Sequence, residues 1–359
     1  MSAAFTASRR VVPSMSSMNI TASPRPEGRP QPGRGRKRLA QAALGVALTG
    51  LFLWLAFSQS RLDEVAAALG QARAPAVLAA LVAFLLGYAC RVARWRAMLT
   101  AHNPALRWRD CAGPLFASVA ANNVLPFRLG DLVRSFGFCK QLGISQGVAV
   151  TTLFVERLFD LLVVLAFLAG ALAFLGGGGL VRLTSMIPVF SAAALAGLLL
   201  FPAVFERIAL IVTAVLRRVL PGLAERLSSE IHRGVETIVH VSAPATMIRL
   251  LIWSVLAWSF EGLVFWFCAL ALPTVAAPQA AWLALPVGTL ATVIPSSPGF
   301  IGTFDFFVAQ AMARLGNTMA AGAAFAVLTH ILLWAPPTLL GGLHLLSHPV
   351  RNLFKTENA

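Results

Sequence analysis

Apolar residues in this chain gather into long unbroken runs, with polar residues confined to short intervals between them. Six runs, at about residues 39–58, 74–94, 147–175, 185–205, 249–272 and 318–346, are long enough to span a bilayer, which takes about 20 apolar residues. Three others, 110–125, 281–294 and 305–313, are helical in character but too short to cross alone, and each ends at Pro, Gly, Asn or a charge. Such lengths predict re-entrant segments or broken helices. The expected fold is therefore an all-α polytopic membrane protein. It would have about six full transmembrane helices plus two re-entrant hairpins, or eight helical passes if each hairpin counts as a helix. One membrane domain would occupy 39–346, with 206–248 as an amphipathic cytoplasmic loop.

Composition agrees with that pattern. The chain is 58% hydrophobic and 12% charged, against roughly a quarter charged in soluble domains. The net charge of +15 raises the question of nucleic acid, but the basic residues flank the runs instead of forming a patch interleaved with surface aromatics. We therefore expect no nucleic-acid partner. Basic short loops mark the cytoplasmic side. By that rule residues 1–38, a Ser/Pro/Arg/Gly-rich tail expected to be disordered, lie inside, as do 95–109, 126–146, 206–248 and the tail at 347–359. The loop at 59–73 would be periplasmic. Segment 110–125 then starts and ends on the cytoplasmic side, while 281–313 enters and leaves from the periplasmic side. This places the chain in a bacterial inner membrane with both termini cytoplasmic and the first run as an uncleaved signal anchor. Pro336–Pro337 should kink or split the last span. The four cysteines are far apart and form no CxxC pair, so no disulfide framework, metal site or cofactor is expected.

Three constellations carry candidate chemistry. At the end of the first short segment, Asn122, Asn123 and Pro126 stop the helix, and Arg128, Gly130, Asp131 and Arg134 follow. Unwound backbone at membrane depth is tolerated only in a protein interior or a wet cavity, and guanidinium groups there suit phosphate. An ordinary turn with snorkelling arginines is the alternative. Inside the span 147–175 stand Glu156, Arg157 and Asp160. They share an arc of one helix, so they face a bundle interior, as a translocation site or as an ion-pair lock. Arg157 and Asp160 can pair at i,i+3. Glu156 has no partner on its own helix and is a candidate for a coupling proton. Between the last two short pieces, Pro295, Pro298, Gly299 and Gly302 forbid a continuous helix, and Asp305 is placed to cap the next one. Glu261, Asp305 and Arg314 are the only charged residues between 250 and 350. His330 and His344 read as hydrogen-bonded packing residues. No nucleophile–base pair, metal cluster or nucleotide-binding motif is present, so the chain reads as a non-enzyme.

In order, these motifs resemble those of the flippase-like transmembrane domain of lysylphosphatidylglycerol synthases. The family's Asn…Pro-x-Arg-x-Gly-acid…Arg is matched by Asn122 or Asn123, Pro126, Arg128, Gly130, Asp131 and Arg134. Its Glu-Arg-x-x-Asp is matched by Glu156, Arg157 and Asp160. Its Pro-x-x-Pro-Gly-Gly-x-Gly-x-x-Glu is matched by Pro295, Pro298, Gly299, Gly302 and Asp305. Two departures stand out. Phe300 replaces the second Gly, which should stiffen or narrow the turn, and Asp replaces Glu at 131 and 305. The resemblance implies movement of aminoacylated or other polar lipids across the membrane. The expected partners are membrane lipids with anionic headgroups and a lipid- or glycan-synthesis enzyme that the chain would serve as a scaffold. An intramembrane lipid-modifying enzyme is the remaining alternative.

Overall fold

The computed structural model describes residues 62–125, 128–174, 221–294 and 296–348, with isolated helical positions before residue 62 and between 206 and 215; of 221–227 only the backbone is described. The expected spans at 39–58 and 185–205, the N-terminal tail, nearly all of the C-terminal tail, the first part of the 206–248 loop, Pro126 and Pro295 lie outside the described residues.

The described elements are all helical: α1 (Leu62–Gly70), α2 (Ala74–Leu99), α3 (Trp108–Val124), α4 (Leu129–Leu132), a π turn at Val133–Gly137, α5 (Cys139–Leu142), α6 (Gln146–Phe174), α7 (Pro221–Ser242), α8 (Pro244–Ala271), α9 (Ala281–Ala291), α10 (Thr303–Ala313) and α11 (Met319–Ser347). Four of them, α2, α6, α8 and α11, are long and apolar enough to cross a membrane, and they coincide with four of the expected spans. The fold is an all-α polytopic membrane protein.

The short pieces form two hairpins that enter from opposite ends of the bundle. At one end, Asn317 donates to the Ala277 carbonyl (3.2 Å) and accepts from its amide (2.9 Å), closing the base of the α9–α10 hairpin. The Ala271 carbonyl at the end of α8 accepts from Arg73 just before α2, so this end also holds the start of α2. At the other end, Asn103 donates to the Leu142 carbonyl (2.8 Å), tying the base of the α3–α5 hairpin to the loop after α2. There His102 meets Thr237 of α7 at 2.8 Å. Helix α3 stops at Leu125, whose extended backbone (φ −94°, ψ 144°) is what a following proline imposes on its predecessor.

Several boundaries differ from expectation. Helix α2 runs to Leu99, so Arg91, Arg94 and Arg96 lie within it and not in a loop. The stretch 59–73 contains α1, whose Val65 and Ala68 are buried. Helix α8 begins at Pro244, five residues before the apolar run, because proline at the first helical position loses nothing by lacking an amide hydrogen. Residues 221–242 of the expected surface loop form α7, which buries Ile238 and Val241. The first part of that loop, 206–220, falls outside the described residues save isolated positions. Helix α11 is unbroken through Pro336 and Pro337: two prolines remove two donors while keeping helical φ, and the surrounding apolar packing retains the helix.

Candidate functional site

The tips of the two hairpins meet in the middle of the bundle. Asn123, in the last turn of α3, donates to Thr338 Oγ1 (2.8 Å) and to the Trp334 carbonyl (3.3 Å) of α11. Arg128 crosses to the other hairpin, donating to the carbonyl and hydroxyl of Thr292 (3.3 and 3.1 Å), with its guanidinium 5.3 Å from the Phe300 ring centre. Both ends of that contact sit in left-handed backbone, Arg128 at φ 53° and Phe300 at φ 61°. Phe300 is the position where the family pattern has glycine, and the φ explains the preference. Gly299 (φ 69°) is also left-handed, and a Cβ there would press on Trp334 and on the Asn123 carbonyl. Gly130 lets α4 lie against α3, since a Cβ would strike the Ser118 carbonyl.

Beneath the tips lies a cavity of about 450 Å³. Residues of all three sequence constellations line it, joined by Tyr88, Arg91, Trp258, Glu261, His330 and Trp334. Its charges are organised around α6. Glu156 is buried and accepts from Arg134 (2.6 Å) and Arg94 (3.2 Å). Asp160 accepts from Arg94 (2.7 Å) and the Trp258 indole (3.0 Å), with Arg157 at 3.7 Å. Arg157 spends its reach on Asp131, meeting both carboxylate oxygens at 3.1 Å. Asp131 is steadied by the Asn122 amide (3.0 Å). Arg91 pairs with Glu261 and lies 4.9 Å above the Trp258 ring. The Asp305 carboxylate caps α10 by accepting from the Gly302 amide (2.9 Å) and also meets His330 (2.8 Å).

The expected site residues thus converge, but not in the expected roles. Arg134, expected beside Arg128 as a second guanidinium for phosphate, is buried against Trp95 (4.9 Å) and committed to Glu156. The two arginines diverge because the π turn swings Arg134 inward while the left-handed Arg128 points across to α9. Glu156, without a partner on its own helix, has two cationic partners from other elements. Arg91 and Arg94 were missed as site residues. Their spacing of three places them on one face of α2, and the need to compensate carboxylates at 156, 160 and 261 was the available signal. Of the five arginines in the cluster (91, 94, 128, 134 and 157), Arg128 alone has no carboxylate partner among the described residues. Four carboxylates (131, 156, 160 and 261) face those five cations, leaving one excess positive charge before the Asp305–His330 pair is counted.

Comparison with known proteins yields two findings. Glycosyltransferase AglD of Haloferax volcanii is 30% identical over a match covering 83% of this chain and 53% of that protein. The chain therefore spans about half the length of that relative. The expectation of a non-enzyme is overturned by this finding, since the relative carries an enzyme's name. That expectation rested on the lack of nucleophile, metal and nucleotide-binding motifs in the sequence. Residues 42–341 match the lysylphosphatidylglycerol synthase TM region, and the chain belongs to that family.

Proposed function

We propose that this protein takes the anionic headgroup of a lipid or lipid-linked substrate into the central cavity and passes it across the membrane while the tail remains in the bilayer. The observation that carries the reading is Arg128, a cation without a carboxylate partner among the described residues, placed where the two hairpin tips meet. Arg157 beside it keeps 45% of its side chain exposed, so an entering phosphate has a second guanidinium to engage. Bidentate guanidinium–phosphate contact supplies both strength and orientation. We also place the chain in a bacterial inner membrane with both termini cytoplasmic, on the distribution of its basic loops.

The test uses purified protein in liposomes containing headgroup-labelled phosphatidylglycerol, with labelled phosphatidylcholine as the zwitterionic control. Wild type is expected to bind and move the anionic lipid. Arg128→Ala should weaken binding by about 1.5–3 kcal/mol, the worth of a hydrogen bond to a charged group, while expression stays normal. Unchanged binding would refute the headgroup role of Arg128.

A second reading rests on the glycosyltransferase relative: the cavity presents a lipid-phosphate acceptor for glycosyl transfer, within this chain or by an enzyme it scaffolds. Incubating the chain with a labelled nucleotide sugar and a lipid phosphate separates the two. A labelled lipid product supports transfer, and lipid movement without product supports translocation.

A further inference from the structure

His330 of α11 sits between two acceptors. Its Nδ1 is 2.8 Å from Asp305 Oδ1, and its Nε2 is 2.9 Å from the Gly299 carbonyl oxygen. A neutral imidazole offers one donor and one acceptor, whereas the imidazolium offers two donors. A carbonyl oxygen and an ionised carboxylate can only accept. With a neutral ring and an ionised Asp305, one of these contacts would bring two lone pairs together. The Phe304 ring packs edge-on against the imidazole at 5.0 Å and offers no alternative acceptor in its place.

The Gly299 carbonyl belongs to the turn Pro298–Phe300, in which Gly299 and Phe300 are both left-handed. Phe300 is the residue that lies over the Arg128 guanidinium. Fixing the Gly299 carbonyl therefore fixes the turn that holds an aromatic ring against Arg128, the arginine without a carboxylate partner among the described residues. We propose that His330 is a positioning residue whose imidazolium fastens the Pro298–Phe300 turn, so that loss of its proton frees the turn and uncovers Arg128. The Asp305 carboxylate retains the remaining N–H as the stronger acceptor, and the bare Nε2 then repels the Gly299 carbonyl. The left-handed Phe300 relaxes and its ring leaves Arg128.

Several groups bear on this proton. Asp305 on α10 favours it directly. Arg91, Arg128, Arg134 and Arg157, and the carboxylates at 131, 156, 160 and 261, line the same cavity as His330. Tyr88 faces the same cavity as a neutral phenol, and Cys268 lies on the neighbouring α8 as a buried thiol. Glu156, the sequence candidate for a coupling proton, already has a guanidinium on each oxygen.

The final step, exposure of Arg128 to an anion, rests on the proposed function, and the test separates the two claims. Wild-type protein carrying ¹⁵N-histidine, in detergent micelles, is titrated from neutral to alkaline pH. His330→Gln and His330→Asn identify its signals among the six histidines by subtraction. A nitroxide on Ile301→Cys, which is 43% exposed, reports the turn; the four native cysteines are buried. Both ring nitrogens are expected to be protonated at neutral pH. Their titration should coincide with a several-fold rise in nitroxide mobility and a several-fold gain in affinity for dihexanoyl phosphatidylglycerol, a probe whose charge is constant over this range. The two variants should show a mobile turn at every pH. A neutral imidazole at neutral pH, or a nitroxide indifferent to the ring's titration, overturns the proposal. Coincident ring and turn transitions with unchanged lipid affinity sustain the fastening and overturn the anion reading of Arg128.

Discussion

Glu156→Gln removes one negative charge from a cluster in which five guanidinia face four carboxylates, leaving three. The two partners are affected unequally. Arg94 keeps Asp160 at 2.7 Å and Ser254 at 2.9 Å. Arg134 keeps only the face of Trp95, since Glu156 is its carboxylate partner among the described residues. Removing one member of a buried pair costs about 3–5 kcal/mol. Glutamine preserves the shape and one acceptor, so the lower end, about 3 kcal/mol, is expected. Adding Arg134→Met removes the orphaned cation, and the double variant should regain about 1–2 kcal/mol relative to additivity. The assay is equilibrium unfolding in mixed detergent micelles of rising SDS content, followed by tryptophan fluorescence, with lipid movement measured on the same variants in liposomes. A single variant within about 0.5 kcal/mol of wild type, or a double variant that is simply additive, would refute the ion-pair arrangement. A folded Glu156→Gln protein that still moves lipid normally would restrict this motif to structure.

Two further outcomes are expected. Phe300→Gly relieves a left-handed side chain worth about 1–3 kcal/mol and loses a cation–π contact worth about 0.5–1 kcal/mol, so it should be at least as stable as wild type, while Phe300→Ala keeps the strain, loses the ring and should fall about 1 kcal/mol below the glycine variant; equal unfolding midpoints for the two would refute the strain. Burial holds the His102 pKa below its ordinary value, with Glu236 opposing and His240 and Arg233 reinforcing; the unfolded chain then takes up the proton first, so the stability from the neutral ring is complete above about pH 6.5 and is lost as pH falls below it, and thermal unfolding at descending pH should show that loss in wild type and its absence in His102→Asn.

The fold was legible wherever a helix carries an uninterrupted apolar run, as in α6 and α11, and the hairpins were announced by segment length and by the breakers at 122–130 and 295–302, but the return limb of the first, 129–142, reads in sequence as a cytoplasmic loop because it is short and basic. What the sequence hid was partnership across elements. Arg94 and Glu156 are 62 residues apart, and Arg91 and Glu261 are 170 apart. Positive charge at the end of an apolar run reads as loop, and only the folded bundle shows that Arg91 and Arg94 are still on the helix. The split fate of Arg128 and Arg134 depended on a π turn and a single left-handed residue, neither of which leaves a periodic signal. His330 looked like a packing residue because its two contacts, Asp305 in the first turn of α10 and the Gly299 carbonyl in the turn before it, are brought together by a path the sequence does not specify.

The distance along the chain between these charges has a consequence for biogenesis. Helix α2 leaves the ribosome before any of its carboxylate partners exists: Asp160 comes 66 residues after Arg94, and Glu261 comes 170 residues after Arg91. At about 5–20 residues per second, Arg91 waits roughly 10–30 s. Meanwhile each arginine carries an insertion penalty, about 2.5–3.5 kcal/mol at the centre of a span and less toward its end, where Arg91 and Arg94 stand. The nascent helix must therefore spend that interval with its guanidinia turned to headgroups, to water or to the polar interior of the insertion machinery, and its final depth in the membrane is set only when α6 and α8 arrive.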